Sequence, residues 1–270
     1  MSKDHDSKFF SSFSKGRFLQ EQDVPLLRSF LTPDTIFVDV GAHIGTITVP
    51  IAKGVKEVHA FEPMPITRMY LEKNIELNQL TNVSIHPVGL GAKTELRVAH
   101  AGRATDAGTF SLTTVSEDRE ESDTVSVHTL DEEIPHADFI KIDVEGMEVE
   151  MLKGAGRILS SDRPGLFFEV NLSALRAHHT SPGALGNLLR AQGYRLYLPV
   201  REGVIGEIPD LETVTALLYM RSWITHSHSG VYNVLAIPVG KTVPPSFNCI
   251  SGMALIRLLI GRKIRRITQR

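Results

Sequence analysis

Two segments of the chain combine glycine and acidic residues directly after apolar runs. The first occupies residues 38–45, with the sequence VDVGAHIG, and the second occupies residues 61–63, with the sequence FEP. Gly41 and Gly45 permit a sharp turn and a close approach of the backbone to a ligand. A helix that begins behind this turn would add free N–H groups. The two segments together predict a binding site for a nucleoside-containing cofactor.

Two carboxylates give this site its expected contacts. Asp39 stands just before the turn, where it can accept a hydrogen bond from an ammonium group or bridge to it through water. Glu62 is expected at an accessible strand end, where it would accept hydrogen bonds from both hydroxyls of a ribose. The predicted cofactor-binding residues are Asp39, Gly41, His43, Gly45 and Glu62.

The same turn distinguishes two classes of cofactor. Counted from Gly41, the dinucleotide fingerprint requires glycine at its third and sixth positions, where this chain has His43 and Thr46. A pyrophosphate would meet a side chain there and would also lie near the carboxylate of Asp39. S-adenosylmethionine has no pyrophosphate and carries a positive charge. The segment therefore favours S-adenosylmethionine, and a nicotinamide-dependent reductase is the alternative enzyme.

A second group of charged residues occupies residues 141–148, with the sequence KIDVEGME, and Glu169 ends the next apolar run. Neighbouring parallel strands end at the same edge of a sheet, so Asp143 and Glu169 should stand side by side near the methyl group of the cofactor. A carboxylate there can take a proton from a hydroxyl or hold a substrate or metal ion. We predict Asp143, Glu145 and Glu169 as catalytic residues, while helix-end stabilisation is the other interpretation for Glu145 and Glu148.

The elements that must position these residues alternate between strand and helix. This alternation predicts an α/β fold with a doubly wound, mostly parallel sheet and helices on both faces. The predicted strands of the main sheet are Thr35–Val40, Glu57–Phe61, Val83–Val88, Phe139–Val144, Leu166–Val170, Tyr194–Leu198 and Tyr232–Ile237. The predicted helices are Ile44–Lys53, Thr67–Asn78, Met147–Ser160 and Pro182–Gln192, of which the third could end early at its two glycines.

Three regions divide the chain. Residues 1–34 form a polar and helical N-terminal segment, residues 35–240 form the main domain, and residues 241–270 form a basic, amphipathic tail. Residues 89–123 are rich in Gly, Ser, Thr and charge, which predicts a loop-rich insertion with one short strand at Glu95–Ala99. An edge strand is expected directly behind it, at Thr124–Leu130.

Composition excludes several classes of site. The net charge of −2 gives no general attraction to nucleic acid, and the single cysteine, Cys249, excludes an internal disulfide and a cysteine-based zinc site. No metal site is predicted, because neither histidine pair, at 178 and 179 or at 226 and 228, has an acidic or cysteine partner at ligand spacing. We see no signal peptide and no apolar run of about 18 residues, so we expect a cytoplasmic protein.

The tail carries an apolar helical stripe and basic flanks. Six basic and no acidic residues follow residue 248. This pattern suits peripheral contact of residues 253–270 with an anionic membrane, but it also suits a helix that docks on the protein or on a second copy in a homo-oligomer. The sequence leaves these alternatives open.

Taken together, the motifs resemble the FkbM family of methyltransferases. The resemblance rests on residues 39–45, 61–63 and 141–146, on LKGA at 152–155, on TLD at 129–131 and on the strand that ends in Glu169. It implies that the Gly41/Gly45 turn and Glu62 contact S-adenosylmethionine, in a Rossmann-like fold of the class I methyltransferase type. His43 stands where the family commonly has Asn, and either side chain can form hydrogen bonds.

The resemblance also implies a reaction. The family's usual chemistry is O-methylation of hydroxyls on sugars and natural products, which predicts a small-molecule or glycan acceptor. The sequence does not name that acceptor, nor does it settle metal dependence. A cofactor fold that has lost catalysis and serves as an interaction protein is a further alternative, against which the intact acidic residues argue.

Overall fold

The computed structural model describes residues 23–101, 110–114, 124–225 and 231–267. Within these ranges the strands are β1 Ile36–Val40, β2 Glu57–Phe61, β3 Val83–His86, β4 Gly89–Leu90, β5 Glu95–Ala101, β6 Phe110–Thr114, β7 Thr124–His128, β8 Phe139–Ile142, β9 Gly165–Asn171, β10 Tyr194–Arg201, β11 Val204–Glu207, β12 Val231–Pro238 and β13 Asn248–Ile250. The helices are α1 Asp23–Arg28, α2 Thr48–Ala52, α3 Pro65–Leu77, α4 Leu130–Glu133, α5 Glu148–Lys153, α6 Gly156–Ser161, α7 Leu172–Ala177, α8 Pro182–Ala191, α9 Leu211–Thr225 and α10 Gly252–Ile267.

Nine strands form the main sheet, in the order β13-β11-β10-β12-β9-β8-β1-β2-β3. The run from β3 to β9 is parallel throughout, and β12 then pairs antiparallel with both β9 and β10. The predicted α/β fold with a mostly parallel sheet is confirmed. Because β13 pairs with β11, the sheet continues beyond residue 240 into the segment predicted as a tail.

Alternation along the strands gives the sheet two apolar faces. One face, which includes Val38, Ile140 and Phe168, packs with buried residues of α5 to α10. The opposite face, which includes Phe37 and Phe167, packs with buried residues of α1 and α2. Helices therefore cover both faces, as expected for a doubly wound sheet.

The face under α1 and α2 changes from apolar to polar at the carboxyl end of the parallel strands. Asp39 follows Phe37, Lys141 follows Phe139, and Glu169 follows Phe167, each two positions later. Side chains two residues apart in a strand point to the same face. Since Asp39 is the register partner of Lys141, the fold collects charged side chains along one edge of one face.

A second sheet is formed by β4, β7, β5 and β6 in that order. The described part of residues 89–123 contains three strands, so the prediction of a single short strand there was wrong. The strand at 124–128 is not an edge strand either, since it lies between β4 and β5. The Gly- and Ser-rich composition concealed these strands, of which β5 pairs with β6 and β7, and β4 pairs with β7. Residues 102–109 and 115–123 lie outside the described ranges.

Several predicted elements are shorter than expected. The helix predicted at Ile44–Lys53 is α2, Thr48–Ala52, and the strand predicted at Val83–Val88 is β3, Val83–His86. The helix predicted over 147–160 is divided into α5 and α6 at Gly154, where a Cβ atom would lie 2.0 Å from the carbonyl oxygen of Gly91. Strand β8 ends at Ile142 rather than at Val144, because the chain turns with a positive φ of 50° at Glu145. Glu145 therefore does not share the strand alternation of Lys141 and Asp143.

The C-terminal helix α10 docks on the main domain through its first half. Leu255 and Leu259 are buried in the same apolar core as the sheet, whereas Met253 and Ile260 are exposed. Among the described residues, no helix is both long and apolar enough to span a membrane.

Candidate functional site

The turn after β1 is shaped by backbone packing. Gly41 and Gly45 have positive φ angles of 74° and 90°, and His43 has a φ of 52°. The N–H groups of Gly41 and Ala42 both donate to the carbonyl oxygen of Phe61, so the turn is bonded to the end of β2. A Cβ atom at residue 41 would lie 1.9 Å from the carbonyl oxygen of Asp143. Glycine is therefore needed there by the chain itself.

Glu62 joins the turn to the loop after β2. Its Oε2 accepts the backbone N–H of His43 at 2.9 Å, and its Oε1 accepts the N–H of Met64 and the hydroxyl of Thr67, each at 2.9 Å. Burial raises the pKa of Glu62, and these hydrogen bonds oppose that shift. Only 6% of the residue is exposed, so the expectation of an accessible strand end was wrong.

Asp39 is engaged by the protein. It is 0% exposed, its Oδ2 accepts the hydroxyl of Thr48 at 2.6 Å, and its Oδ1 lies 3.1 Å from Nζ of Lys141. The prediction that its carboxylate receives an ammonium group is corrected in one respect: the ammonium group in contact is that of Lys141. Asp39 therefore stabilises the turn through Lys141, whose Nζ also donates to the carbonyl oxygen of Gly41.

Lys141 is buried among oxygen atoms. Besides Asp39, its Nζ donates to the carbonyl oxygen of Gly41 at 2.9 Å and lies 3.6 Å from Oδ2 of Asp143. Burial disfavours the ammonium form, but Asp39 and Asp143 outweigh that effect, and the pKa of Lys141 lies above its ordinary value. This single side chain connects the first and second predicted motifs.

Carboxyl groups crowd the edge beyond Lys141. Burial is the largest cause that raises the pKa of Glu169 to about 8, and the charges of Asp143 and Glu145 add to it. Burial likewise raises the pKa of Glu148 to about 7. Glu148 is only 2% exposed, and its Oε2 has no hydrogen-bond partner, while its Oε1 accepts the N–H of Gly146. The charges of two predicted catalytic residues, Asp143 and Glu145, therefore act on the third, Glu169.

Two residues at this edge were not predicted. Asp23, in α1, has its pKa raised to about 6, chiefly by burial, and the charges of Lys141 and Asp143 act on it as well. The side-chain amide of Asn233, in β12, donates to Oδ2 of Asp23 at 3.1 Å. No local sequence pattern marks either residue, whereas Lys141 and Glu148 belong to the motif already recognised.

The small sheet encloses one side of the site. Its buried residues Val125 and Val127 pack with Met147, and Met64 and Val144 pack against the same cluster. Met64 comes directly after residues 61–63, whereas Val144 and Met147 come from the loop between β8 and α5. An apolar wall therefore stands beside the acidic edge.

The charges of the site select among ligands. Lys141 is committed to oxygen atoms of the protein, and the carboxyl groups around it exceed it in number. Such a site attracts a cation and repels a pyrophosphate. The sulfonium of S-adenosylmethionine fits this distribution of charge. Among the described residues, no three acidic, histidine or cysteine side chains are arranged to hold a metal ion.

Comparison with protein families agrees with this chemistry. A family model for the methyltransferase FkbM domain matches residues 39–196, more than half of the chain. The match confirms the resemblance seen in the sequence, the class I methyltransferase type of fold, and S-adenosylmethionine as the cofactor. It does not support the nicotinamide-dependent alternative. No curated protein matches the chain.

Solved structures similar to this one include further methyltransferases. An FkbM methyltransferase from Methylobacillus flagellatus KT is 24% identical, with a TM-score of 0.46, and the match covers 62% of this chain but only 40% of that protein. A precorrin-6y C5,15-methyltransferase from Geobacter metallireducens GS-15 is 14% identical over 81% of this chain and 88% of its own, with a TM-score of 0.46. A SAM-dependent O-methyltransferase from Thermotoga maritima is 12% identical over 87% and 71%, with a TM-score of 0.45.

Proposed function

The chain belongs to the FkbM methyltransferase family, and from that premise we propose that it methylates a hydroxyl group of a saccharide, lipid or secondary metabolite. One observation carries the proposal of an oxygen acceptor. The pKa of Glu169 is raised to about 8, in part by the charge of Asp143, and Glu169 lies at the edge of the sheet that also bears Lys141. A carboxyl group with a pKa near neutral pH is suited to accept a proton from a hydroxyl.

The donor side of the site is built by the loops after β1 and β2. We propose that Gly41, His43, Gly45 and Glu62 hold the cofactor, which supplies an electrophilic methyl group when bound. Oε1 of Glu62 already accepts two hydrogen bonds, while Oε2 accepts one. Since a carboxylate oxygen has two lone pairs, Oε2 has room for one ribose hydroxyl. We therefore propose that Glu62 binds one ribose hydroxyl, in place of the two that the sequence predicted.

The acceptor side would then lie over β8 and β9. Glu169 in its ionised form receives the hydroxyl proton, and Asp143, held near Lys141, orients the acceptor. Glu145 adds negative charge that keeps the proton affinity of Glu169 high. Most of the rate enhancement would come from positioning of the hydroxyl oxygen in line with the methyl group.

The acceptor could reach the site from water or from a membrane surface. The exposed side chains of Met253 and Ile260, in a helix that continues into the basic residues 261–267, support peripheral contact with an anionic membrane. The buried first half of α10 instead supports docking on the protein. We propose that α10 has both roles: its first half packs on the protein, and its second half contacts the membrane surface.

A screen of hydroxylated acceptors tests the proposed reaction. Purified protein is incubated with methyl-labelled S-adenosylmethionine and with saccharides, lipids and phenolic or macrolide alcohols, with and without a chelator. We expect label in an ether linkage of one acceptor class, unaffected by the chelator. Transfer of label only to nitrogen, carbon or carboxylate oxygen would exclude hydroxyl methylation.

A further inference from the structure

Asp23 and Asn233 reach the acidic edge from outside the matched family region. The side-chain amide of Asn233 donates to Asp23 over 3.1 Å, although 210 positions separate the two residues. The family match covers residues 39–196 only, so it assigns no role to either. Their bond ties α1 to β12 at the edge of the sheet that carries the candidate catalytic carboxylates.

Glu169 and Asp23 lie on the same face of the sheet. Asn233 is the antiparallel register partner of Glu169, and side chains of directly opposed residues stand on one face about 5 Å apart. Asp23 bonds to Asn233 on that face, and the charge of Asp143 raises the pKa of both Asp23 and Glu169. The carboxyl groups of Asp23 and Glu169 therefore lie on one face, and both lie within electrostatic reach of Asp143.

The carboxyl groups of this edge outnumber the ammonium group that acts on all three of them, which is that of Lys141. The ammonium of Lys141 is shared by Asp39, Asp143 and the carbonyl oxygen of Gly41. Glu148 adds a buried carboxyl group whose Oε2 has no hydrogen-bond partner, and its charge acts on Glu169. A buried carboxylate without a partner is costly, and a bound cation with N–H donors relieves that cost.

We propose that Asp23 and Glu169 flank a subsite that binds an alkylammonium group of one of the two substrates. This inference rests on the proposed methyl transfer. In the sheet order, β12 lies three strands from β1, or about 14 Å. The subsite is thus on the far side of β8 from the turn at Gly41, a placement that favours an amine on the acceptor over the ammonium of the donor.

Matched pairs of small probes test this subsite without turnover. Calorimetry compares S-adenosylhomocysteine with its analogue that lacks the α-amino group, and ligand-observed NMR compares ethanolamine with ethylene glycol on the S-adenosylhomocysteine-loaded protein. Each pair is measured with wild type, Asp23→Asn and Glu169→Gln. Glu72→Gln, which removes one charge from an exposed carboxylate of α3, is the matched control.

We expect ethanolamine to bind wild type about tenfold more tightly than ethylene glycol, which is the scale of one charge-assisted contact. Asp23→Asn and Glu169→Gln should abolish that preference, and Glu72→Gln should preserve it. If only the preference for the α-amino group of S-adenosylhomocysteine depends on Asp23, the donor supplies the ammonium. If neither preference depends on Asp23, the subsite is overturned. It is also overturned if Mg²⁺, titrated as a separate probe, binds more tightly than ethanolamine and this binding depends on Asp23. Failure of every hydroxyl acceptor would overturn hydroxyl methylation and leave these binding results intact.

Discussion

The backbone N–H of His43 donates to Oε2 of Glu62 over 2.9 Å, and this bond fixes the turn after β1 against the end of β2. The two residues are 19 positions apart, and the bond involves the backbone of one and the side chain of the other. The carboxylate that is expected to hold the cofactor therefore also holds the turn that the cofactor contacts. Binding and local stability should respond together when Glu62 is changed.

Replacement of Glu62 by alanine should weaken both properties. The change leaves the N–H groups of His43 and Met64 without their acceptor, whereas the hydroxyl of Thr67 keeps the carbonyl oxygen of Met64. The loss should cost about 1–3 kcal/mol of unfolding free energy. Affinity for S-adenosylmethionine should fall with it. Calorimetric titration and urea denaturation measure the two effects. Glu72→Ala, which removes an exposed carboxylate of α3, is the control and should change neither property. Unchanged affinity in Glu62→Ala would remove this residue from the cofactor site.

Replacement of Lys141 by methionine should destabilise the fold strongly. The carboxylate of Asp39 would stay buried without its cation, a change that typically costs about 3–5 kcal/mol. Urea denaturation measures the loss, and Lys153→Met, which removes an exposed lysine of α5, should cause none. The double variant Lys141→Met/Asp39→Asn should recover part of the stability. If it does not, the cost lies in the bonds to Gly41 and Asp143.

Gly41→Ala should distort the turn. The new methyl group would meet the carbonyl oxygen of Asp143 at 1.9 Å, and the φ of 74° is strained for alanine. We expect a loss of about 2–4 kcal/mol in unfolding free energy and a fall in cofactor affinity. Gly54→Ala is the matched control, because its methyl group would find ordinary contact distances. Equal behaviour of the two variants would show that the turn adapts.

Glu169→Gln should remove the proton acceptor. A glutamate with a raised pKa of about 8 is ionised only above that pH, so kcat/KM of wild type should rise as the pH increases through about 8. In Glu169→Gln that rise should vanish and turnover should fall by about 10²–10⁴-fold, with cofactor affinity little changed. Asp143→Asn tests the neighbouring candidate. A rise that persists in Glu169→Gln and disappears in Asp143→Asn would reassign the base to Asp143.

The same carboxyl group links stability to pH. Its pKa is higher in the folded protein than in the unfolded chain, where it is near the ordinary value of 4.5. Between these values the folded state binds the additional proton, so the stabilising contribution is complete below about pH 4.5 and is lost as the pH rises to about 8. Melting temperature measured across this range should fall less steeply in Glu169→Gln than in wild type. Parallel curves would show that Glu169 titrates normally.

Two truncations separate the roles of the C-terminal helix. Removal of all residues after Phe247 deletes β13 and the buried side chains of Leu255 and Leu259, so it should lower the melting temperature markedly. Removal of residues 261–270 keeps the docked half and should leave the melting temperature unchanged. Only the truncation of residues 261–270 tests membrane contact, because it leaves the docked half of the helix in place. If the full chain and the variant without residues 261–270 sediment equally with anionic liposomes at low salt, the surface contact is excluded.

The sequence by itself determined the parts of the site that follow local rules. A glycine turn after a β-branched run and an acidic residue at the end of the next run identified Gly41 and Glu62. The same reasoning identified Asp143 and Glu169, because parallel strands end at one edge of a sheet. Strand and helix order then gave the fold class, since alternating elements admit few arrangements.

Only the tertiary structure decided which of these groups meet a partner inside the protein. Asp39 was assigned to the ligand, but the side chain of Lys141, 102 positions later in the chain, reaches it across two paired strands. Asp23 and Asn233 carry no local signal, and the strands of residues 89–123 were concealed by a composition typical of loops. The physical reason is common to all of these cases: a hydrogen bond or an ion pair depends on distance in space, and residues remote in sequence are brought together only when the whole sheet and its helices are packed.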